Sequence, residues 1–218
     1  MEKHILVINP NSTEEVTNAM DAAFDPLRRL KGPSITSITN PYGPPGIETQ
    51  EHADTVAIQV LDILKGKETS ADAFVIACFS DPGIYSAREF TRKPVFGIAE
   101  SGILSALSLG NQFGIIAILD RSIPRHIRYV RSLGLEQRLA GDSAIGIGVT
   151  GLSDEKETFA RLLRVGEKLI NDKGADTLIL GCAGMARYRT SLQEALGVPV
   201  VDPAQAAVSQ AITTLQLY

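Results

Sequence analysis

Ala71-Asp72-Ala73-Phe74-Val75-Ile76-Ala77-Cys78 and Ala175-Asp176-Thr177-Leu178-Ile179-Leu180-Gly181-Cys182 carry one pattern twice. Each stretch opens on Ala-Asp, runs through an apolar core and closes on Cys, and the second copy lies 104 residues after the first. Downstream, Pro94-Val95-Phe96-Gly97 matches Pro199-Val200-Val201-Asp202 at an offset of 105. Such a period is far longer than the roughly 20–50 residues of a solenoid unit. It predicts two similar halves that face each other.

Outward from these stretches, apolar runs alternate with amphipathic ones. In the first half, Ile5 to Asn9, Ile35 to Ile38, Phe74 to Cys78 and Val95 to Ile98 read as strands. Thr13 starts a helix with Glu14 and Glu15 in its first turn, where the dipole favours acid, and Ala53 to Leu64 repeats apolar residues at helical spacing. Pro94 suits a strand start. In the second half, Phe113 to Leu119, Ala144 to Val149, Thr177 to Cys182 and Val198 to Val201 read as strands. Ser122 with Pro124 reads as an N-cap and early helix position; Glu155 to Asn171 and about Ala204 to Leu217 read as helices. Strands separated by helices predict parallel α/β sheets. The expected division is a first α/β domain over 1–96, joined by the final helix 204–218, and a second over 97–203.

Composition narrows the function classes. The chain has 218 residues, 44% apolar and 21% charged, the balance of a globular protein with a real core. Lys and Arg number 21 against 25 Asp and Glu, with no basic stripe and no Trp, so the footprint of a nucleic-acid binder is missing. A membrane-surface role lacks support for the same reason. The apolar run in MEKHILVINPN is too short for a span or a signal peptide, and the chain reads as cytoplasmic. The acceptor pattern Asn11-Ser12-Thr13 therefore carries no meaning.

Only two cysteines occur, and His4, His52 and His126 show no ligand spacing. A structural zinc site wants four ligands. The ordinary reading of two lone cysteines is small buried hydrophobes, and position must outweigh it. Ligands of parallel sheets sit outside the carboxyl ends of strands, and both cysteines fall there. Turn-forming or small residues follow each, Phe79-Ser80-Asp81-Pro82-Gly83 and Ala183-Gly184, and then a helix is expected. Its N–H groups and dipole would lower a thiol pKa and offer donors to an oxyanion. Two sulfurs reaching one ligand from opposite sides suit racemisation: a thiolate takes a proton from carbon and the opposite thiol returns one to the other face. The carbon must be activated by a carbonyl, since nothing suggests pyridoxal phosphate, another cofactor or a metal. Nucleophilic catalysis by one Cys is the runner-up, but it leaves the second unexplained.

Other motifs compete. Gly146-Ile147-Gly148-Val149-Thr150-Gly151 fits G-x-G-x-x-G, yet the acidic residue expected about 20 positions on is displaced, because Asp172 ends a helix. Asn40-Pro41-Tyr42-Gly43-Pro44-Pro45-Gly46 is a turn-rich loop, read equally well as a substrate wall or a rigid connection. Asp81 reads as a helix cap or a catalytic group; Glu48 and His52 read as site residues or solvated ones.

The sequence resembles the aspartate/glutamate/hydantoin racemase superfamily, and within it the hydantoin racemase branch. The resemblance covers essentially the whole chain. Its carriers are Ile8-Asn9-Pro10-Asn11-Ser12-Thr13, Gly43-Pro44-Pro45-Gly46-Ile47-Glu48, Ala77-Cys78-Phe79-Ser80-Asp81-Pro82-Gly83, Gly97-Ile98-Ala99-Glu100 and Leu180-Gly181-Cys182-Ala183-Gly184-Met185. It implies two pseudo-symmetric α/β domains with the active site in the cleft between them, and Cys78 and Cys182 as acid–base pair. It also implies no cofactor and a small-molecule substrate in a homo-oligomer. Asn11, Phe79 and Glu48, with backbone groups of Ser80, Asp81, Ala183 and Gly184, would hold the ligand.

Amino-acid racemases of the superfamily usually follow the first Cys with Asn-Thr and the second with Thr-His. Phe79-Ser80 and Ala183-Gly184 stand there instead, which favours a neutral ring such as a 5-substituted hydantoin or allantoin. Arylmalonate decarboxylases keep only the second Cys, whereas maleate isomerases also carry two. Open alternatives are a racemase or isomerase of another small carboxylate or amide, and a binding protein of the same fold without turnover.

Overall fold

The structure, a computed structural model, describes residues 3–29 and 32–217. The first half has strands β1 (His4–Asn9), β2 (Ser34–Thr39), β3 (Ala73–Ile76) and β4 (Val95–Gly97) with helices α1 (Glu14–Ala22), α2 (Gln50–Lys67) and α3 (Ile84–Phe90). Helix α4 (Ile98–Leu107) leads into the second. That half has β5 (Phe113–Ala117), β6 (Leu139–Ala144), β7 (Thr177–Leu180) and β8 (Val200–Val201) with α5 (Ile123–Ser132), α6 (Glu155–Asn171) and α7 (Arg189–Leu196). Helix α8 (Pro203–Leu217) closes the chain. The strands form two four-stranded parallel sheets of the same order, β2-β1-β3-β4 and β6-β5-β7-β8. The fold is thus α/β with two domains.

The repeated residues have repeated jobs. The Asp72 carboxylate accepts from the His4 N–H at 2.7 Å, and Asp176 accepts from Asn111 and Gln112 N–H groups at 2.9 Å each. Each Asp therefore locks the start of the cysteine strand to the entry of its central neighbour. The prolines are equivalent too: Phe74 N donates to Pro94 O and Leu178 N to Pro199 O, both at 2.9 Å. At the other end, Ala77 N donates to Ile8 O and Gly181 N to Ile116 O. Each cysteine follows this last ladder bond directly, so the repeat fixes where its sulfur emerges.

Helix α8 lays Ala204, Ala207, Val208 and Ala211 on Ile5, Val7, Ala73 and Val75 of the first sheet, all buried. Small residues on that face let helix and sheet approach closely. No helix of the described residues is long and apolar enough to cross a membrane.

One expected strand is displaced. The run Ala144 to Val149 is not a strand; β6 ends at Ala144 and begins at Leu139. Its residues Leu-Ala-Gly-Asp-Ser-Ala lie at a sheet edge, each only partly buried, so it lacks the apolar signature of an interior strand. Gly146, at φ 72°, turns the chain out of the sheet. Ile145, just beyond the strand end, and Val149, which opens a 3-10 helix, are buried there.

Candidate active site

The carboxyl ends of β1, β3, β5 and β7 converge on one cavity of about 30 Å³, lined by Cys78 and Cys182 together with Asn11, Phe79, Ser80 and Ala183. Space of that size holds a water molecule or two. Polar contacts between the halves close it. Glu48 accepts from Val149 N and Arg121 at 3.0 Å each, Gln50 from Arg128 at 2.8 Å, Ser80 from Arg125 at 2.8 Å, and Asp81 from Tyr129 at 2.7 Å. A ring-sized ligand exceeds that space, so it enters only with a change in the cavity's walls.

The surroundings of the two sulfurs differ. Ser80 and Arg125 both favour the Cys78 thiolate, and Arg125 Nε donates to Ser80 Oγ, so a positive charge stands behind Ser80 on the Cys78 side. Cys182 has the Gly184 backbone beside it instead. The expected lowering of the thiol pKa is not what the structure shows. Burial pushes Cys78 up to about 12 despite Arg125, with Cys182 nearby adding to the rise, and pushes Cys182 up to about 11. Both thiols are partly buried and line a narrow, mainly apolar cavity, where desolvation penalises the thiolate. The helices are also weaker aids than expected. Helix α3 starts only at Ile84, and Cys182 leads into a short 3-10 helix, Ala183–Tyr188.

The backbone donors differ from expectation as well. Ser80 N and Asp81 N turn back onto the Cys78 carbonyl at 2.7 and 2.9 Å, so they are not aimed at a ligand. The residues directly after each cysteine, Phe79 and Ala183, both line the cavity, and their N–H groups donate to no protein acceptor among the described residues. Gly184 does not line the cavity; its backbone stands beside the Cys182 sulfur.

Asn11 is 7% exposed. Its Oδ1 accepts from Asn9 Nδ2 and Thr13 N, and its amide N–H₂ has no protein acceptor among the described residues. Asp81 sits at φ 44°, the one positive-φ residue other than glycine among those described. Its buried carboxylate accepts from Ala99 N, Glu100 N and Tyr129, so it caps α4. Burial pushes that carboxyl up to about 6 against those donors. Glu48 joins the halves, and neither it nor His52 lines the cavity; His52 Nδ1 accepts from Glu48 N. The glycine-rich loop offers its Val149 N–H to Glu48, so a protein carboxylate occupies the anion position.

Three further polar residues line the cavity that the sequence reading did not assign to the site: Ser122, Arg125 and His126. Ser122 ends a 3-10 turn and makes no capping bond; its buried hydroxyl has no partner. His126 is 3% exposed, bonds Asp142 through Nδ1 at 2.8 Å and meets the Phe79 ring edge-on at 5.1 Å. All three follow the carboxyl end of β5, and the strand-end rule applied to that strand would have pointed to them.

Residues 5–211 match the family model described as Asp/Glu/Hydantoin racemase. A hydantoin racemase of a Pseudomonas species is 36% identical over 216 residues, 98% of this chain and 86% of that one. The allantoin racemase of Klebsiella pneumoniae superposes with a TM-score of 0.90 at 31% identity, covering 99% of this chain and 89% of its own. That of Pseudomonas fluorescens gives 0.93 at 29%, covering 98% and 91%. Fold, site and these likenesses define an isomerase of the racemase class. The chain belongs to the Asp/Glu/hydantoin racemase family.

Proposed function

We propose that this chain racemises 5-substituted hydantoins, allantoin among them, by proton transfer between Cys78 and Cys182. The observation that carries the proposal is that two sulfurs from equivalent strand ends line one narrow cavity. One cysteine, as thiolate, removes the proton from C5 of the ring, and the electron pair moves into the adjacent carbonyl. The opposite thiol then delivers its own proton to the other face of C5. The mirror-image hydantoin leaves, the first sulfur is now a thiol and the second a thiolate, so charge and protons balance.

Burial suits this chemistry. A desolvated thiolate is a stronger base, closer in pKa to a weak carbon acid. Arg125 through Ser80 stabilises the thiolate of Cys78, and Gly184 N–H that of Cys182. Phe79 N–H and Ala183 N–H supply donors for the oxyanion, while Asn11 and the Ser122 hydroxyl supply polar partners for the ring. Val16, Ile47, Ile118 and Val149 give the cavity an apolar wall, which favours a neutral ring over a zwitterion.

Polarimetry on optically pure hydantoins, allantoin, aspartate and glutamate tests the reading. Rotation should decay with a hydantoin or with allantoin; faster decay with glutamate or aspartate would reverse the assignment. The thiols make a separate prediction. Both pKa values lie above the ordinary thiol value of 9.0, so in the unliganded protein the reactive thiolate is the minor form of either group at neutral pH, and its fraction grows as pH rises past that value. In the unliganded protein, thiolate ultraviolet absorbance should therefore grow chiefly above pH 9.0. Growth complete near neutrality would contradict the desolvated environment.

A further inference from the structure

A second cavity of about 340 Å³ adjoins the first, and the two share Phe79, Ser80, Arg125 and His126 as lining. These side chains are the partition between the cysteines and the larger space. Arg125 is the cationic member of this partition. Arg28, Arg88, Arg121, Arg131, Arg161 and Arg187 each pair with a carboxylate, whereas Arg125, like Arg128, Arg138 and Arg189, bonds only neutral groups among the described residues. Arg125 is half-buried, forms no ion pair among the described residues, and donates one hydrogen bond, from Nε to a neutral hydroxyl. A guanidinium carries five N–H donors in a planar fork matched to a carboxylate, so most of its capacity is unused.

The surrounding charge does not supply the missing partner. Arg128 lies on the same face of α5 and adds a second positive charge to the lining. Asp54 opposes them but accepts from Gln50 Nε2 at 2.7 Å. The Asp81 carboxylate, in the same lining, is taken up by Ala99 N, Glu100 N and Tyr129. The lining therefore sets two arginines against two carboxylates, and neither carboxylate lies within ion-pair distance of Arg125, whose remaining N–H groups border the larger cavity.

The geometry points to a subsite in which Arg125 binds a carboxylate carried on the 5-substituent of the ring, so that the preferred substrates are hydantoins with an acidic side chain. This rests on the two-cysteine cavity holding the hydantoin ring. The substituent extends from C5 past Ser80 into the larger cavity, and its carboxylate pairs with the Arg125 N–H groups that Ser80 leaves free, while Nε keeps its bond to Ser80. Arg128 adds longer-range attraction. A neutral amide of the same shape keeps the volume and loses the charge-assisted pairing.

Calorimetric titration with 5-(2-carboxyethyl)hydantoin and 5-(2-carbamoylethyl)hydantoin tests this without reliance on turnover. The unmodified protein should bind the acid at least about tenfold more tightly than the amide. Arg125→Gln should bring the two Kd values within about twofold of each other, and Arg125→Lys should retain part of the preference, because the charge survives without the planar fork. Equal affinities in the unmodified protein, or a preference that survives Arg125→Gln, would overturn the subsite. Acid preference with no racemisation of any hydantoin would leave the subsite standing and overturn the proposed reaction instead.

Discussion

Cys78→Ser and Cys182→Ser should each lower net racemisation by roughly 100- to 10,000-fold, the usual contribution of a general acid or base, while both proteins fold. A serine hydroxyl ionises far above a thiol and cannot supply the base that takes the C5 proton. The opposite cysteine does not compensate, because it reaches only the other face of the ring. Folding should survive, since oxygen replaces sulfur with little change in shape. The general cost of a buried unpaired hydroxyl is about 1–3 kcal/mol, and both positions offer relief. At 78 the new hydroxyl meets Ser80, and at 182 it meets the Gly184 N–H. Polarimetry beside thermal melting separates the two effects. A folded variant with close to full activity would return that cysteine to the role of a core residue.

Gly43→Ala should lower stability by about 3 kcal/mol or more, the range reserved for core overpacking and backbone clashes. A Cβ there would stand 2.2 Å from Pro10 O, 3.1 Å from Asn40 Nδ2 and 3.2 Å from Asn11 Cα. The nearest of these is backbone and cannot rotate away. It is also pinned, since Asn40 Nδ2 donates to Pro10 O at 3.0 Å, Asn40 N to Asn9 O at 2.9 Å and Ser12 N to Pro44 O at 3.0 Å. The turn-rich loop is therefore a rigid brace for the segment that carries Asn11, and Ile47 just beyond it lines the cavity. Urea unfolding should show the loss, and racemisation by whatever folds should fall as Asn11 shifts. Gly66→Ala is the matched control. Its Cβ would meet nothing within 4 Å, inside α2, and it should gain roughly 0.5–1 kcal/mol by stiffening the unfolded chain. Equal stability of the two variants would refute the brace.

The fold was legible because its signals are local and occur twice. Asp72 and Asp176, Pro94 and Pro199, Cys78 and Cys182 stand at like positions, and each pair has a like structural task. The sequence pattern places β6 about five residues late, because an edge strand needs no apolar face and the apolar run Ala144 to Val149 draws the assignment past Gly141, Asp142 and Ser143. The strand ends named the cysteines correctly as cavity residues, but not the state of their thiols. A turn and a helix start are visible in sequence, whereas desolvation depends on Val16, Ile118 and Val149 arriving from elsewhere. The same holds for Glu48, whose partner Val149 lies 101 residues away, and for Arg125, which meets Ser80 across 45 positions. Contacts between halves follow from how the two sheets face each other, and no local pattern records that.

The central claim is that the two sulfurs serve opposite faces of one carbon. Deuterium incorporation at C5, followed in deuterium oxide for each pure enantiomer with each Cys→Ser variant, tests it most directly. A variant that keeps one functional cysteine should exchange the C5 proton only of the enantiomer whose proton faces that sulfur, and should fail to invert it. Cys78→Ser and Cys182→Ser should thus show mirror-image exchange above the rate without enzyme. Exchange of the same enantiomer by both folded variants, or inversion by either at the unmodified rate, would contradict the two-cysteine mechanism.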